Sequence, residues 1–230
     1  MKKIAILQSN YIPWKGYFDL IASVDEFIIY DEMQFTKNDW RNRNLIKTAQ
    51  GVQWLTVPVG QKIHRRICDV VLADSGWQKK HWKTLCQNYR KACYFNDIAV
   101  WLEPLYFEKS YTTLTEMNTC FIAAICAYLN IATAIKNSWE YSLEGDRSER
   151  LVNICKQAGG DIYVSGLAAK SYLDEGAFDA SRISVQWFTY ENYKEYPQLY
   201  GEFVHQVTIL DALFHCGPNT PGHMKYCIQP

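Results

Sequence analysis

The sequence predicts an α/β protein with a mostly parallel sheet, opened by a βαβ unit and carrying a helical subdomain at about residues 77–130. Three observations lead there. A strand, a loop, a helix and a second strand fit within about the first 30 residues, the pattern of a parallel pair. Further short apolar runs at 162–164 and 183–188 alternate with helical segments. Between the two strand regions, 77–130 repeats its apolar residues at three- and four-residue spacing.

Lys3 to Leu7 is an unbroken apolar run after the first lysines, as a buried strand requires. Gln8-Ser9-Asn10-Tyr11-Ile12-Pro13 interrupts it. Residues 16–23 place Phe18, Ile21 and Ala22 on one helical side, and 26–30 (Glu-Phe-Ile-Ile-Tyr) reads as the second strand. Residues 44–48 and 52–59 suggest a hairpin around Gln50-Gly51, and 67–72 a further strand. Helices are expected at 77–92, 98–108 and 113–130. Asp146 and Glu149 form a capping box that opens a helix over 147–158, which Gly159-Gly160 ends. After the strand at 162–164, Ser165-Gly166 reads as a tight turn and 168–173 as a short helix. Residues 183–188 give the last strand, and 204–215 a terminal helix closed by Gly217-Pro218. No repeat or flexible linker divides the 230 residues, so 1–230 is expected to be one domain.

Composition narrows the function classes. The 24 basic and 24 acidic residues cancel, which argues against a DNA-binding protein. Aromatic residues reach 15%, which implies either a large aromatic core or a cleft that stacks sugar rings or bases. The eight cysteines include no Cys-x-x-Cys pair and read as small buried hydrophobes. The apolar start is too short for a signal sequence, and the run at 121–135 is broken by Asn130 and too short to span a bilayer. A cytoplasmic location is therefore expected, with no transmembrane segment. Glycine-rich nucleotide loops, the Gly-x-Ser-x-Gly elbow and His-Glu-x-x-His are absent, and no cofactor is expected. Asp211 with His215, and His223 with Cys227, have helical spacing but make only two ligands each, so no metal is expected.

The candidate site residues cluster after predicted strands, at the carboxyl edge where open α/β sheets bind ligands. Gln8, Asn10 and Tyr11 follow the first strand and can hydrogen-bond a base or sugar, or tie the loop to itself. Pro13 fixes that turn, and Gly16 allows close approach at the helix start. After the second strand, Asp31 is a candidate general base or a turn cap, with Gln34 beside it. Trp40, Arg41 and Arg43 share the same loop, and an arginine pair suits a diphosphate. Ser165 and Gly166 offer backbone N–H groups to an anion, with Lys170 as a point charge. His81 shares a helix face with Trp77, Leu85 and Tyr89 and either packs there or faces the cleft. Tyr196 and Gln198 are candidates for sugar contacts.

Four segments together resemble the WbqC-like protein family: residues 3–18, with Gln8, Asn10-Tyr11, Pro13-Trp14 and Gly16; 31–44 with Trp54-Leu55-Thr56-Val57-Pro58-Val59; 161–173; and 196–218, with Tyr196-Pro197-Gln198 and Thr208-Ile209-Leu210-Asp211. Two departures stand out. Leu7-Gln8-Ser9 replaces the frequent His-Gln-Pro, so no histidine base exists at position 7. Thr208 replaces a common serine and keeps a hydroxyl. The resemblance implies an enzyme of O-antigen and surface-polysaccharide assembly: a transferase placing a glycyl or acyl group on a nucleotide-linked amino sugar. The implied partners are that sugar and an activated aminoacyl or acyl donor, and a homodimer stays open. Asp31, His81 and Lys170 are the catalytic candidates on this reading. A more distant resemblance links the strand-to-helix turn to nucleotidyltransferase-like, Rossmann-like folds, with Met33-Gln34-Phe35 similar to an element of pantothenate synthetases. Trp14 and Tyr17 stand where those enzymes carry histidines, which argues against adenylation but keeps both residues as candidate nucleotide contacts. The competing functions are a nucleotide-binding enzyme of that type and a non-catalytic partner in a polysaccharide assembly complex.

Overall fold

The computed structural model describes residues 1–62, 64–73 and 76–227. Five strands form one sheet: β1 (Lys3–Leu7), β2 (Glu26–Ile29), β5 (Ala134–Asn137), β6 (Ile162–Gly166) and β7 (Ser184–Phe188). Their order is β5-β2-β1-β6-β7, and every neighbouring pair is parallel. The chain winds outward through β2 and β5, then crosses back over β1 to β6 and β7. The strand order therefore reverses between β1 and β6, and the crevice at their carboxyl ends is where such sheets place ligands. A separate antiparallel hairpin, β3 (Arg43–Thr48) and β4 (Gly51–Thr56), lies outside the sheet.

Among the described residues, seven α-helices surround these strands: α1 (Lys15–Ala22), α2 (Trp77–Tyr89), α3 (Phe95–Phe107), α4 (Leu114–Tyr128), α5 (Arg147–Gln157), α6 (Glu175–Ala180) and α7 (Ile209–Cys216). Side chains alternate across the sheet and give it two cores. Ile4, Ile6, Ile28, Tyr30 and Tyr163 pack on one face with Val152 and Cys155 of α5 and Phe178 of α6. Ala5, Phe27, Ile29, Val164 and Phe188 point the other way, into a larger cluster with Phe18 of α1, Leu85 of α2, Leu102 of α3, Phe121 of α4 and Phe214 of α7. Tyr11, Trp77, Tyr89 and Tyr106 are among the largest fully buried side chains, so much of the aromatic content builds the core. At the end of α7, Gly217 has φ 52°, and a Cβ there would stand 2.4 Å from the Tyr94 ring; only glycine fits.

The capping box of α5 forms as the sequence predicts: the Asp146 carboxylate accepts from the backbone N–H of Ser148 and Glu149. Other expectations are corrected. Residues 67–72 are no strand. Ile67–Asp69 is a 3-10 turn whose Ile67 and Cys68 N–H groups donate to the carbonyls of Met33 and Asp31, and only Val71 makes a bridge, to Thr113. Ser165 and Gly166 extend β6, and the turn follows at Leu167–Ser171 as a 3-10 helix. The last helix starts at Ile209, capped by the Thr208 hydroxyl, because the chain before it is held elsewhere by side-chain bonds. Strand β5 and helix α6 escape the sequence reading. The edge strand β5 is short and half polar, and α6 has six residues.

His81 shows how tightly the helical region joins the sheet. It is 6% exposed on α2, and its Nε2–H donates to the Thr56 carbonyl at 3.1 Å. Nδ1 then accepts from the Tyr11 hydroxyl at 2.8 Å, which also pairs with the Tyr106 hydroxyl at 2.9 Å. Burial pushes the imidazole pKa down to about 4. Unfolded His81 takes up a proton near its ordinary pKa of about 6.5, whereas the folded ring resists until about 4. Its contribution to stability is thus intact above pH 6.5 and is lost as the pH falls toward 4. The full loss is about 3 kcal/mol on that shift. Urea unfolding of the wild type and His81→Gln at pH 7 and pH 4.5 should show a smaller acid penalty in the variant; equal penalties would contradict this account.

Candidate functional site

The loops at the carboxyl edge enclose a cleft of about 720 Å³. Asn10, Pro13 and Trp14 come from the loop after β1. Trp40 and Asn44 come from the segment after β2, Tyr190, Asn192 and Tyr193 from the loop after β7, and His205 and Gln206 from the approach to α7. Among the described residues, four aromatic rings, four side-chain amides and the His205 imidazole thus line it.

The loop after β1 is shaped by strain. Ile12 has φ 38°, a region that a β-branched residue resists. It is nevertheless 1% exposed and clamped from two sides. Asn44 Nδ2 donates to the carbonyls of Tyr11 at 3.1 Å and Ile12 at 2.8 Å, and the Thr208 hydroxyl donates to the Ile12 carbonyl at 2.7 Å. The Tyr11 N–H donates to the Trp40 carbonyl, and the Ile209 N–H to the Pro13 carbonyl. This clamp delivers Trp14, whose ring folds back over Gly16. A Cβ on Gly16 would meet that ring at 2.4 Å, so glycine is the residue that lets Trp14 lie there. Tyr190 and Tyr193 pack against Trp14 with ring centroids 5.5 Å away.

The arginines divide. Arg41 turns inward: Nη1 donates to Asn10 Oδ1 and Nη2 to Gln8 Oε1 at 3.1 Å. It holds Asn10 at the cleft. Arg43 lies over Trp54, its guanidinium carbon 4.0 Å from the ring centroid, and the Trp54 centroid stands 5.2 Å from that of Trp40. Tyr17 is buried, and its hydroxyl donates to the Gln8 carbonyl.

The expected catalytic residues sit away from the cleft lining. Asp31 is fully buried and accepts from Ser9 N (2.8 Å), Ser9 Oγ (2.6 Å) and Thr115 Oγ1 (2.6 Å). Burial raises its pKa, against the pull of those hydrogen bonds. Three donors converging on one carboxylate make it a tie between the β1 loop and α4. His81 is held by Tyr11 and Thr56, as described. Lys170 is exposed, with Nζ 5.3 Å from the centroid of the Trp187 ring. Gln34 is exposed and bridges Arg66 through its backbone. Ser165 and Gly166 end β6, with Gly166 against Tyr190.

Tyr196 and Gln198 belong to a buried network behind the cleft wall. Gln198 Nε2 donates to Asp211 Oδ1 (2.8 Å), and Tyr89 donates to Asp211 Oδ2 (2.9 Å). Buried Lys47 donates to Gln198 Oε1 at 3.0 Å and to the Glu202 carbonyl. His215 donates from Nδ1 to the Asp211 carbonyl and accepts the Leu199 N–H at Nε2. The Asp211–His215 spacing is therefore spent on this network. Among the described residues, no group of three or more His, Cys, Asp or Glu side chains is placed to hold a metal. All eight cysteines are free thiols.

Two basic groups near the wall were not among the candidate site residues. Lys15 is 2% exposed, boxed by the rings of Tyr196, Tyr193 and Phe203 at 4.8–5.5 Å, and donates to the Lys194 carbonyl. Burial lowers its pKa to about 8. His205 lines the cleft, and partial burial together with the Lys15 charge lowers its pKa. Tyr190, Asn192 and Tyr193 were also missed, although an aromatic and amide cluster directly after the last strand was a usable signal.

A five-stranded parallel sheet with a ligand-sized cleft at its topological switch point defines a protein of the doubly wound α/β class. The sequence profile of the WbqC-like protein family matches residues 8–222, and the chain belongs to that family. It is 53% identical over 231 residues to the uncharacterized protein Rv1507c of Mycobacterium tuberculosis, with all of both chains covered. No solved structure matches it. No helix among the described residues is long and apolar enough to cross a membrane.

Two substitutions test the scaffold of the site. Thr208→Val keeps the shape but removes the bond to the Ile12 carbonyl. It should cost about 1–2 kcal/mol and speed amide hydrogen exchange in residues 8–14 while leaving α2 protected. Asp31→Ala leaves three buried donors unpaired and should cost about 3 kcal/mol in urea unfolding. A loss below 1 kcal/mol would contradict the tie described above.

Proposed function

We propose that the protein is a transferase that modifies a nucleotide-linked amino sugar of bacterial surface polysaccharide, placing a glycyl or other acyl group on the sugar amine. The observation that carries this reading is the lining of the cleft. Trp14, Trp40, Tyr190 and Tyr193 offer faces to the C–H side of a sugar ring, Asn192 and Gln206 offer paired donors and acceptors to its hydroxyl and amide groups, and Asn10, whose Oδ1 is held by Arg41, offers its Nδ2 donors. A volume of about 720 Å³ accommodates a sugar with an attached group. Family membership supports the same assignment.

Acyl transfer to an amine needs a neutral amine and an acceptor for the proton it sheds. The amine nitrogen attacks the acyl carbon, the bond to the activating group breaks, and one proton leaves the nitrogen. His205 is the lining group suited to take it, because partial burial and the Lys15 charge lower its pKa and so favour the neutral imidazole. Asp31 and His81 serve by fixing Ser9 and Tyr11 in the loop that carries Asn10 and Trp14.

The strand order favours a second reading, a nucleotide-binding enzyme of the nucleotidyltransferase type, because such sheets hold nucleotides at the same edge. A thermal-shift panel separates the two. An amino-sugar nucleotide at about 100 times its dissociation constant should add about 2.7 kcal/mol, and ATP at the same concentration should add much less, because it lacks the sugar that fills the cleft. Mass spectrometry of the stabilising sugar incubated with glycyl or acyl donors should then show the added group. Trp14→Ala should lower kcat/KM at least tenfold, and His205→Gln should lower kcat and remove the acidic limb of its pH profile. A shift with ATP alone, or no product from any donor, would overturn the transferase reading.

A further inference from the structure

The cleft does not end at its lining. Trp40 forms part of the wall and is also 41% exposed, with its ring beside that of Trp54, itself 40% exposed. Large aromatic side chains left in water in pairs are costly unless something covers them. Arg43 lies against this pair. Its guanidinium stacks on Trp54 at 4.0 Å and, among the described residues, it has neither an ion pair nor a side-chain hydrogen bond. Its Nε is a buried donor with no partner. A guanidinium resting over a ring face still directs the N–H donors of its outer nitrogens sideways, the fork that takes two phosphate oxygens at once.

The three groups are fixed relative to one another. Arg43 starts β3 and pairs with Thr56, and Trp54 lies opposite Leu45 on β4, so both residues sit on the same face of the hairpin. Asn44, the next residue of β3, faces the other way and clamps the Ile12 loop. The hairpin thereby carries the platform on one face and a part of the cleft on the other. Arg41 is committed to Gln8 and Asn10, which leaves Arg43 as the arginine of this loop with donors to offer.

We infer that Trp40, Trp54 and Arg43 form a nucleoside-diphosphate subsite at the mouth of the cleft, with the base stacked on the tryptophan pair and the phosphates on Arg43. This rests on the transferase reading and deepens it: the sugar enters the cleft, and the nucleotide stays on the platform outside. Base recognition by stacking is tolerant of base identity, so uridine, guanosine and thymidine diphosphates are all expected to bind, with modest differences.

Isothermal titration with free nucleoside diphosphates and with nucleotide amino sugars tests the subsite without requiring turnover. The wild type should bind both. Trp54→Ala and Arg43→Ala should each weaken both ligands about tenfold. Arg43→Lys should fail to restore affinity, because an ammonium lacks the fork. Trp139→Ala, at an exposed tryptophan after β5, should leave affinity unchanged. Unaltered binding of the nucleotide sugar by Trp54→Ala and Arg43→Ala would overturn the subsite and leave the transferase reading standing. Absence of binding by every nucleotide, with product formed from a lipid-linked sugar, would overturn the subsite and the nucleotide-linked acceptor while leaving acyl transfer to an amino sugar standing. Absence of both binding and product would overturn both. If either substitution instead halves the molecular mass seen by light scattering and spares ligand affinity, the tryptophan pair is a subunit interface and the inference fails.

Discussion

Ile12 holds a backbone conformation that its own side chain opposes, and the site is organised around keeping it there. A φ of 38° in a β-branched residue costs on the order of 1–3 kcal/mol. Burying the isoleucine returns about 2 kcal/mol, and the hydrogen bonds from Asn44 and Thr208 return about 1 kcal/mol each. The strain is thus offset, but only while β3 and the start of α7 both stay in contact with the loop. That requirement couples three distant parts of the chain. Asn44 brings the hairpin, Thr208 brings the last helix, and both place the residues next to them, so Gln206 and His205 arrive at the cleft with the same contact that bends Ile12.

Three fully buried carboxylates fasten the remaining loops by one device. Asp31 joins the β1 loop to α4. Asp211 joins α7 to Tyr89 and Gln198. Asp19 accepts from the Tyr193 hydroxyl and from the N–H groups of Lys225 and Tyr226, and so ties the β7 loop and the C-terminal segment to α1. A buried charge without partners would cost several kcal/mol, so each carboxylate must draw in its donors, and the donors lie on the loops that build the wall. Each carboxylate therefore converts a desolvation penalty into loop geometry. The lining residues, held by these ties, are free to meet a ligand.

Much of the architecture was legible because it rests on local patterns. The run from Lys3 to Leu7 and the Asp146–Glu149 box encode their elements within a few residues. The strand at Ala134–Asn137 did not, because an edge strand is half solvated and needs no apolar run. The segment 67–72 looked like a strand because Ile67 and Val70 are buried by long-range packing rather than by pairing in the sheet. The start of α7 was misplaced for a similar reason. Residues 204–207 carry a helical spacing, but Gln198 engages the Val204 backbone through both ends of its amide and holds it outside the helix.

The site was legible in a more uneven way, and the unevenness has a physical cause. Sequence reasoning favours charged and titratable residues, and in this fold most of these groups are consumed by the scaffold. Asp31, His81, Arg41 and Gln198 stand out in the sequence because they are polar in an apolar context, and burial then obliges each to find partners within the protein. The groups whose capacity the fold leaves unspent, and which the proposed function assigns to a ligand, are the amides of Asn192 and Gln206, the faces of Tyr190 and Trp40 and the fork of Arg43. Such residues look ordinary in sequence, because an amide or a tyrosine in a loop needs no explanation there. Their meaning comes from the strand order, which decides that the loops after β1, β2 and β7 open on one crevice. Lys15 marks the boundary between the two kinds. Its ammonium is held by rings and a single carbonyl rather than by a carboxylate, so it contributes a positive field to the wall without closing off His205. The chemistry of the cleft thus depends on which polar groups the scaffold leaves incompletely satisfied.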